Sequence, residues 1–466
     1  MKRINFIYKV AFVAISIVGL NSCTTDDLDP STEQNKPVEG GITTVSNLEG
    51  IIKGAYSAMT SSEYYGRDYI ITNEVRTDNC FANGSSGRFT TEAQMAYNEN
   101  NDYIWDNAYD VIASANIVIN QDISVLDGDL DYAKHLQGQA YTLRALAHFD
   151  LLKSYGQMHA GGTLGVPYVK EFKGEDLFPS RNTIEENKTD IAADFQTGFD
   201  MMSTAYNDSS KQFLNKYAAK ALQSRFNVYF GMWAEAKAAA EAVINSKLYT
   251  VLSASDFVGS WAQDGSSNSI FELAFSATDN QGINGLAYIY RLGDAGSYGD
   301  VQVINEVKDI FEDTDVRGLF PDADGNPTGI LGYEGDRLRN IGKYPDNRGY
   351  DNVPVIRYEE VILNYAEALL ETGGDALTQL NMIASNRGAT PYTSATKENI
   401  LLERRKELMF EGFRFDDFVR NGEGVEKLYA QQNLQATVPY GDYRLAYPIT
   451  NAEINANSNI VQNDQY

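Results

Sequence analysis

The chain has 466 residues, 43% of them hydrophobic and 22% charged, and 38 basic against 64 acidic residues give a formal net charge of −26. That is chain enough for a sizeable globular core, and the acid excess excludes a general nucleic-acid binder, which needs clustered Lys and Arg against phosphate. It equally disfavours docking onto anionic lipid headgroups, and two cysteines, Cys23 and Cys80, exclude a disulfide-built scaffold.

At the N-terminus Lys2, Arg3 and Lys9 form a basic segment, and the run Val10–Leu20 that follows is apolar apart from Ser16. The run is shorter than the about 20 apolar residues that span a bilayer, and it matches the hydrophobic region of a signal peptide, residues 1–22. Leu20-Asn21-Ser22-Cys23 resembles a bacterial lipobox, which implies acylation of Cys23; an ordinary cleaved signal followed by a chance cysteine is the other reading. Each buried methylene of an acyl chain contributes ~0.8 kcal/mol, so several chains hold a soluble domain at a membrane. Residues 23–41 then comprise the cysteine and a polar, acidic stretch with Pro30, Pro37, Gly40 and Gly41, which reads as a flexible tether.

Residues 42–466 are expected to form one mainly helical domain. Apolar residues at Leu136, Ala140, Leu143, Ala147, Leu151 and Leu152 have helix spacing and predict a helix over Asp131–Tyr155 with Gly156 as its stop. Asn215–Ser246 reads as two helices broken near Gly231, with Ala218, Ala221, Ala236 and Ala240 small enough for close packing. Tyr358–Gly388 repeats the pattern around a Gly373-Gly374 turn. These pairs resemble tetratricopeptide units, although the full repeat signature is absent, and they predict a scaffold of stacked helix pairs. A further helix over Glu398–Gly412 is expected to carry an apolar stripe of Leu401, Leu402, Leu408 and Met409, with Arg404 pairing Glu407. Ser269–Phe275 is a candidate short strand, and three long Gly-, Asn- and Tyr-rich stretches, 61–98, 253–299 and 321–352, interrupt the helices.

No nucleophile elbow, phosphate-binding loop, dinucleotide loop or zinc-protease motif is present, so an enzyme is not expected. His135, His148 and His159 have no metal-ligand spacing. Asp322-Ala323-Asp324-Gly325-Asn326 starts like a calcium loop, but Pro327 replaces the turn glycine and Tyr333 the bidentate glutamate, so a simple turn is the better reading. No cofactor or metal is implied.

Five blocks in order resemble the SusD/RagB family of surface lipoproteins that capture nutrients. They are Asn47–Met59 with Trp105–Asn120, Gly138–Gly156 followed by Gly165–Val169, Val355–Gly373, Glu403–Gly422, and Tyr447–Tyr466. One departure is Phe415, ahead of Asp416-Asp417, where members often carry Trp. The resemblance implies a mostly α fold, a superhelix of tetratricopeptide-like helix pairs with long irregular insertions. It implies a lipid-anchored outer-membrane protein, facing outwards, that binds an oligosaccharide and delivers it to a SusC-like TonB-dependent transporter. A peptide ligand, as in RagB-like members, and a tetratricopeptide-like adaptor that binds only protein are the alternatives.

The matching blocks describe scaffold, and Trp105 within them is expected in the core. The ligand site is therefore sought in the loops, because sugars offer apolar C–H faces rimmed by hydroxyls and are held by aromatic platforms with polar side chains around them. From 61–98 the candidates are Tyr64, Tyr65, Asp78, Asn79, Phe81, Asn83, Arg88 and Phe89; from 253–299 they are Trp261, Tyr288, Tyr290, Arg291 and Tyr298.

Overall fold

The computed structural model describes residues 41–101, 103–172, 178–292 and 297–466. The signal peptide, Cys23 and nearly all of the tether lie outside the described residues. No helix among those described is long and apolar enough to cross a membrane.

The scaffold is a continuous stack of helices: α1 (Val45–Met59), α2 (Trp105–Asn120), α3 (Leu130–Tyr155), α4 (Ile184–Met201), α5 (Lys216–Tyr229), α6 (Trp233–Ser246), α7 (Tyr358–Thr372), α8 (Ala376–Ser385) and α9 (Lys397–Leu408). Each packs on the next in space, α1 on α2, α2 on α3, and so on to α7, which packs on both α8 and α9. Their ends are set locally. Asp129 caps α3 through the backbone N–H groups of Asp131 and Tyr132, and Thr183 with Glu186 forms a reciprocal capping box on α4. Gly231 and Gly373, at φ +67° and +81°, end α5 and α7 in the left-handed region that favours glycine.

The contact of α3 with α4 depends on two facing glycines. A Cβ on Gly138 would lie 2.9 Å from the Gly198 carbonyl, and one on Gly198 would lie 2.2 Å from Thr142 Oγ1. Around these helices one buried cluster runs from Val45 to Ile460 and includes Trp105, which meets Tyr155 edge-on at 4.9 Å.

Three small antiparallel pairings tie the long insertions to this stack. β1 (Cys80–Ala82) pairs with β3 (Val301–Val303), β2 (Ser269–Leu273) with β6 (Val353–Arg357), and β4 (Leu331–Glu334) with β5 (Arg337–Asn340) as a hairpin. The Asp322–Asn326 segment is a turn closed on itself, the Asp322 carboxylate accepting from the Asp324 and Asn326 amides at 2.9 and 2.8 Å.

Helix α9 corrects the expected stripe. Leu401 and Leu402 are only half-buried, and the buried face carries Glu403, Arg404 and Glu407 alongside Ile400 and Leu408. The expected Arg404–Glu407 pairing is not formed: Arg404 pairs with Asp417 at 3.1 Å. Glu407 instead receives Arg317, Arg357 and Arg387, at 3.2, 3.1 and 2.9 Å, from loops and β6. A charged face is tolerated in the interior because every carboxylate on it meets a guanidinium.

Candidate functional site

The β1–β3 pairing is what brings the first two insertions together. Cys80 faces Val303, Phe81 faces Gln302 and Ala82 faces Val301. Just beyond, the Asn83 amide donates to the Asp300 carbonyl at 2.8 Å and the Asn83 side-chain amide donates to the Gly299 carbonyl at 2.7 Å. The backbone on either side of Tyr298 is held from below by Arg339, whose Nη1 donates to the carbonyls of Tyr290, Gly299 and Val301 at 3.0–3.1 Å. Gly299 stands at φ +55°, and a Cβ there would come within 2.9 Å of the Arg339 guanidinium. This seat presents Tyr298 with 39% of its surface open, and the Arg88 guanidinium carbon lies 4.4 Å from the ring centroid. Such a cation–π contact fixes the ring and keeps a polar group beside it. Tyr288, half-buried, accepts through its carbonyl from the Gly299 amide at 2.9 Å.

The short helix that carries Tyr288, Leu286–Tyr290, also forms one wall of a cleft of about 270 Å³ lined by Gly66, Phe275, Gln281, Tyr344, Asp351 and neighbours. Burial, with the nearby Asp346 charge, pushes the Asp351 carboxyl up to about 6, against a hydrogen bond from the Asp346 amide at 2.6 Å. Arg291 locks the second insertion to the third, donating to the Pro345 carbonyl at 2.7 Å and pairing with Glu334 at 3.5 Å. The third insertion adds rings that the sequence reading did not single out: Tyr333, exposed on β4, and Tyr350, half-buried under Arg348 at 4.7 Å. The same composition criterion that pointed to 61–98 and 253–299 covers both of them.

Most of the other expected platform residues are scaffold. Tyr64 and Tyr65, 0% and 3% exposed, donate to the buried Asp150 of α3. Asp78 is buried; desolvation raises its pKa, but the bidentate Arg414 and the charge of Arg405 outweigh this and hold it below the usual carboxylate range. Asn79 is spent on Glu74 and Arg405, at 3.0 and 2.8 Å. Phe89 is buried and Phe81 packs half-buried on the core. Tyr290, 1% exposed, meets Phe410 edge-on. Trp261, 7% exposed, is boxed by Lys343 at 4.7 Å, Arg357 at 5.3 Å and the Tyr344 ring, so it offers no open face, and its indole N–H has no acceptor among the described residues. These rings turn inward because the loops that carry them are themselves packed. Arg88, Tyr288, Arg291 and Tyr298 remain at the surface.

Among the described residues no group of three or more His, Cys, Asp or Glu is arranged to hold a metal, and the three histidines are buried. Cys80 is a buried free thiol.

Comparison with known proteins places the fold. A family described as "Starch-binding associating with outer membrane" matches residues 26–228, and the "SusD family" matches residues 319–466. SusD-like protein P38 of Formosa agariphila is 23% identical over 91% of this chain and 93% of its own. The starch-binding protein SusD of Bacteroides thetaiotaomicron is 30% identical over 26% of this chain and 22% of its own. A SusD superfamily crystal structure from Bacteroides thetaiotaomicron superposes with a TM-score of 0.80 at 26% identity, covering 91% of this chain and all of that one. Tyr288, Arg291 and Tyr298 fall between the two matched segments.

Proposed function

Because the chain belongs to the SusD/RagB family, we propose that it binds glycan at the outer membrane, held there by lipid on Cys23, and passes it to a SusC-like TonB-dependent transporter. The observation that carries the binding role is Tyr298: an open ring on a backbone clamped by Arg339 and Gly299, with Arg88 across it. A ring fixed in advance loses little side-chain freedom when a sugar face packs on it, and the neighbouring Arg88 supplies a polar group at its rim. A glycan is favoured over a peptide because the open groups form a ring with a polar edge, whereas in the polar pocket beside Trp261 the charged side chains are already engaged: Glu272 accepts from Asn352 and Arg357 pairs with Glu359, Glu407 and Glu411. The starch-binding protein SusD is named for binding, and binding without chemical change is the role proposed here.

The test is retention in native gels cast with soluble polysaccharides, together with membrane fractionation of the Cys23→Ser variant. Retardation by at least one polysaccharide supports the binding role, and loss of the variant from the membrane fraction supports the anchor. Free migration in every polysaccharide opposes the first, and an unchanged membrane fraction opposes the second.

A further inference from the structure

Among the described residues the surface arginines are almost all neutralised. Arg67 pairs with Asp68, Arg291 with Glu334, Arg348 with Asp346 and Arg444 with Asp442, at 2.5 to 3.5 Å. Arg88 differs from them. Among the described residues no carboxylate lies within ion-pair distance of it, no acceptor takes its side-chain N–H groups, and Nη1 is shielded from water without a partner. In a chain of net charge −26 carboxylates are plentiful, so a guanidinium with no ion-pair partner among the described residues, beside an open and clamped tyrosine, is a local exception. A second follows one strand away. Arg337 at the start of β5 is exposed and also has no carboxylate partner among the described residues, and it stands two residues from Arg339, on the same face of a strand that packs on β3.

We infer that the Arg88–Tyr298 pair recognises a glycan carrying an oxyanion, a carboxylate or a sulfate ester, with the guanidinium taking the anion and the open part of the ring packing on the sugar. The inference rests on the glycan-binding reading and narrows it. A guanidinium presents N–H donors in a fixed fork that matches a carboxylate or sulfate, and charge-assisted hydrogen bonds of this kind are about twice as strong as neutral ones. The Arg88 side chain is half-buried rather than enclosed, so the open part of its fork can reach an oxyanion that supplies an acceptor where the described residues supply none. The acidic remainder of the surface then works against extended polyanions and in favour of glycans with isolated charges.

Calorimetric titration of the full chain in detergent against three tetrasaccharide probes decides the matter: a neutral maltotetraose, an oligogalacturonate and a sulfated galactan fragment. The expected result is at least tenfold tighter binding of one acidic probe over the neutral one, with affinity falling as salt is raised from 50 to 500 mM. Arg88→Gln should erase most of that preference, and Arg88→Lys should retain part of it. The carboxylate and sulfate arms identify which oxyanion is read. If Arg88→Gln fails to fold, the salt dependence of the unaltered chain still reports the charge. Equal binding of neutral and acidic probes, or affinity indifferent to salt, overturns this inference and leaves the glycan reading standing. Binding of an acidic peptide digest with no saccharide bound overturns both.

Discussion

The Tyr64 hydroxyl lies 2.7 Å from Oδ2 of Asp150, and Tyr65 and Tyr69 close on the same carboxylate at 2.9 and 2.7 Å. Burial, reinforced by the charge of Asp150, pushes all three phenols well above their usual range, so they stay protonated donors. Part of the tyrosine excess in this sequence is thus employed in satisfying a charge inside the scaffold. Tyr64→Phe removes one donor from a buried carboxylate and should cost ~1.5–3 kcal/mol of stability in urea unfolding, with glycan affinity unchanged. Weakened binding at unaltered stability would return Tyr64 to the site.

Glu407 joins three buried arginines, so its loss leaves charges stranded. Truncation by Glu407→Ala should destabilise the protein by about 3–5 kcal/mol, the scale for breaking a buried pair from one side. Equilibrium unfolding measures this directly, and a change below about 1 kcal/mol would show that the network is solvated.

Acid should unfold the protein in two stages. Burial lowers His135, His148 and His159 to about 4, 3 and 4, and the Val169 and Ser203 amides donate to ring nitrogens of His148 and His135, which requires the neutral form. The unfolded chain takes up protons near pH 6.5 and the folded one does not, so stability falls as pH drops from about 6.5 towards 4. Glu367 adds a second stage. Burial works against its charge, but the Arg420 fork outweighs this and holds it at about 2, so its stabilising share is present above about 4.5 and disappears as pH falls towards 2. The urea midpoint should decline from pH 7 to 5 and drop faster below 4.5. A midpoint constant from pH 7 to 4.5 contradicts this assignment.

Gly299→Ala places a methyl group against Arg339 at a positive φ, so the strain falls on the backbone that presents Tyr298. The local cost should be about 1–3 kcal/mol and should appear mainly as weaker glycan binding. Crystals of the variant with Tyr298 unmoved and affinity intact would refute the role given to this turn.

The helical scaffold was legible because its signals are local. The α3 periodicity with its Gly156 stop, and the Gly231 and Gly373 breaks, all mark element ends that the structure has within a residue or two. What failed was orientation. Leu401 and Leu402 look like a buried stripe until β6 and two loops deliver Arg357, Arg317 and Arg387 to the opposite face of α9, a fact about residues distant in sequence. The site suffered the same way. Trp261, Tyr290 and Tyr298 share a loop of one composition, and only the β1–β3 pairing with the Arg339 clamp decides that Tyr298 faces out while the other two face in. Tyr333 and Tyr350 lay in a stretch already marked by the same signal.

The central claim is that Tyr298 is the ring on which a glycan packs. Titration of the unaltered full chain and of Tyr298→Ala against the same oligosaccharide panel, with Tyr64→Phe as the scaffold control, tests it most directly. Saturable binding to at least one oligosaccharide, weakened tenfold or more by Tyr298→Ala and untouched by Tyr64→Phe, is the predicted result. Saturable binding that survives Tyr298→Ala undiminished would contradict the account and place the glycan elsewhere on the protein.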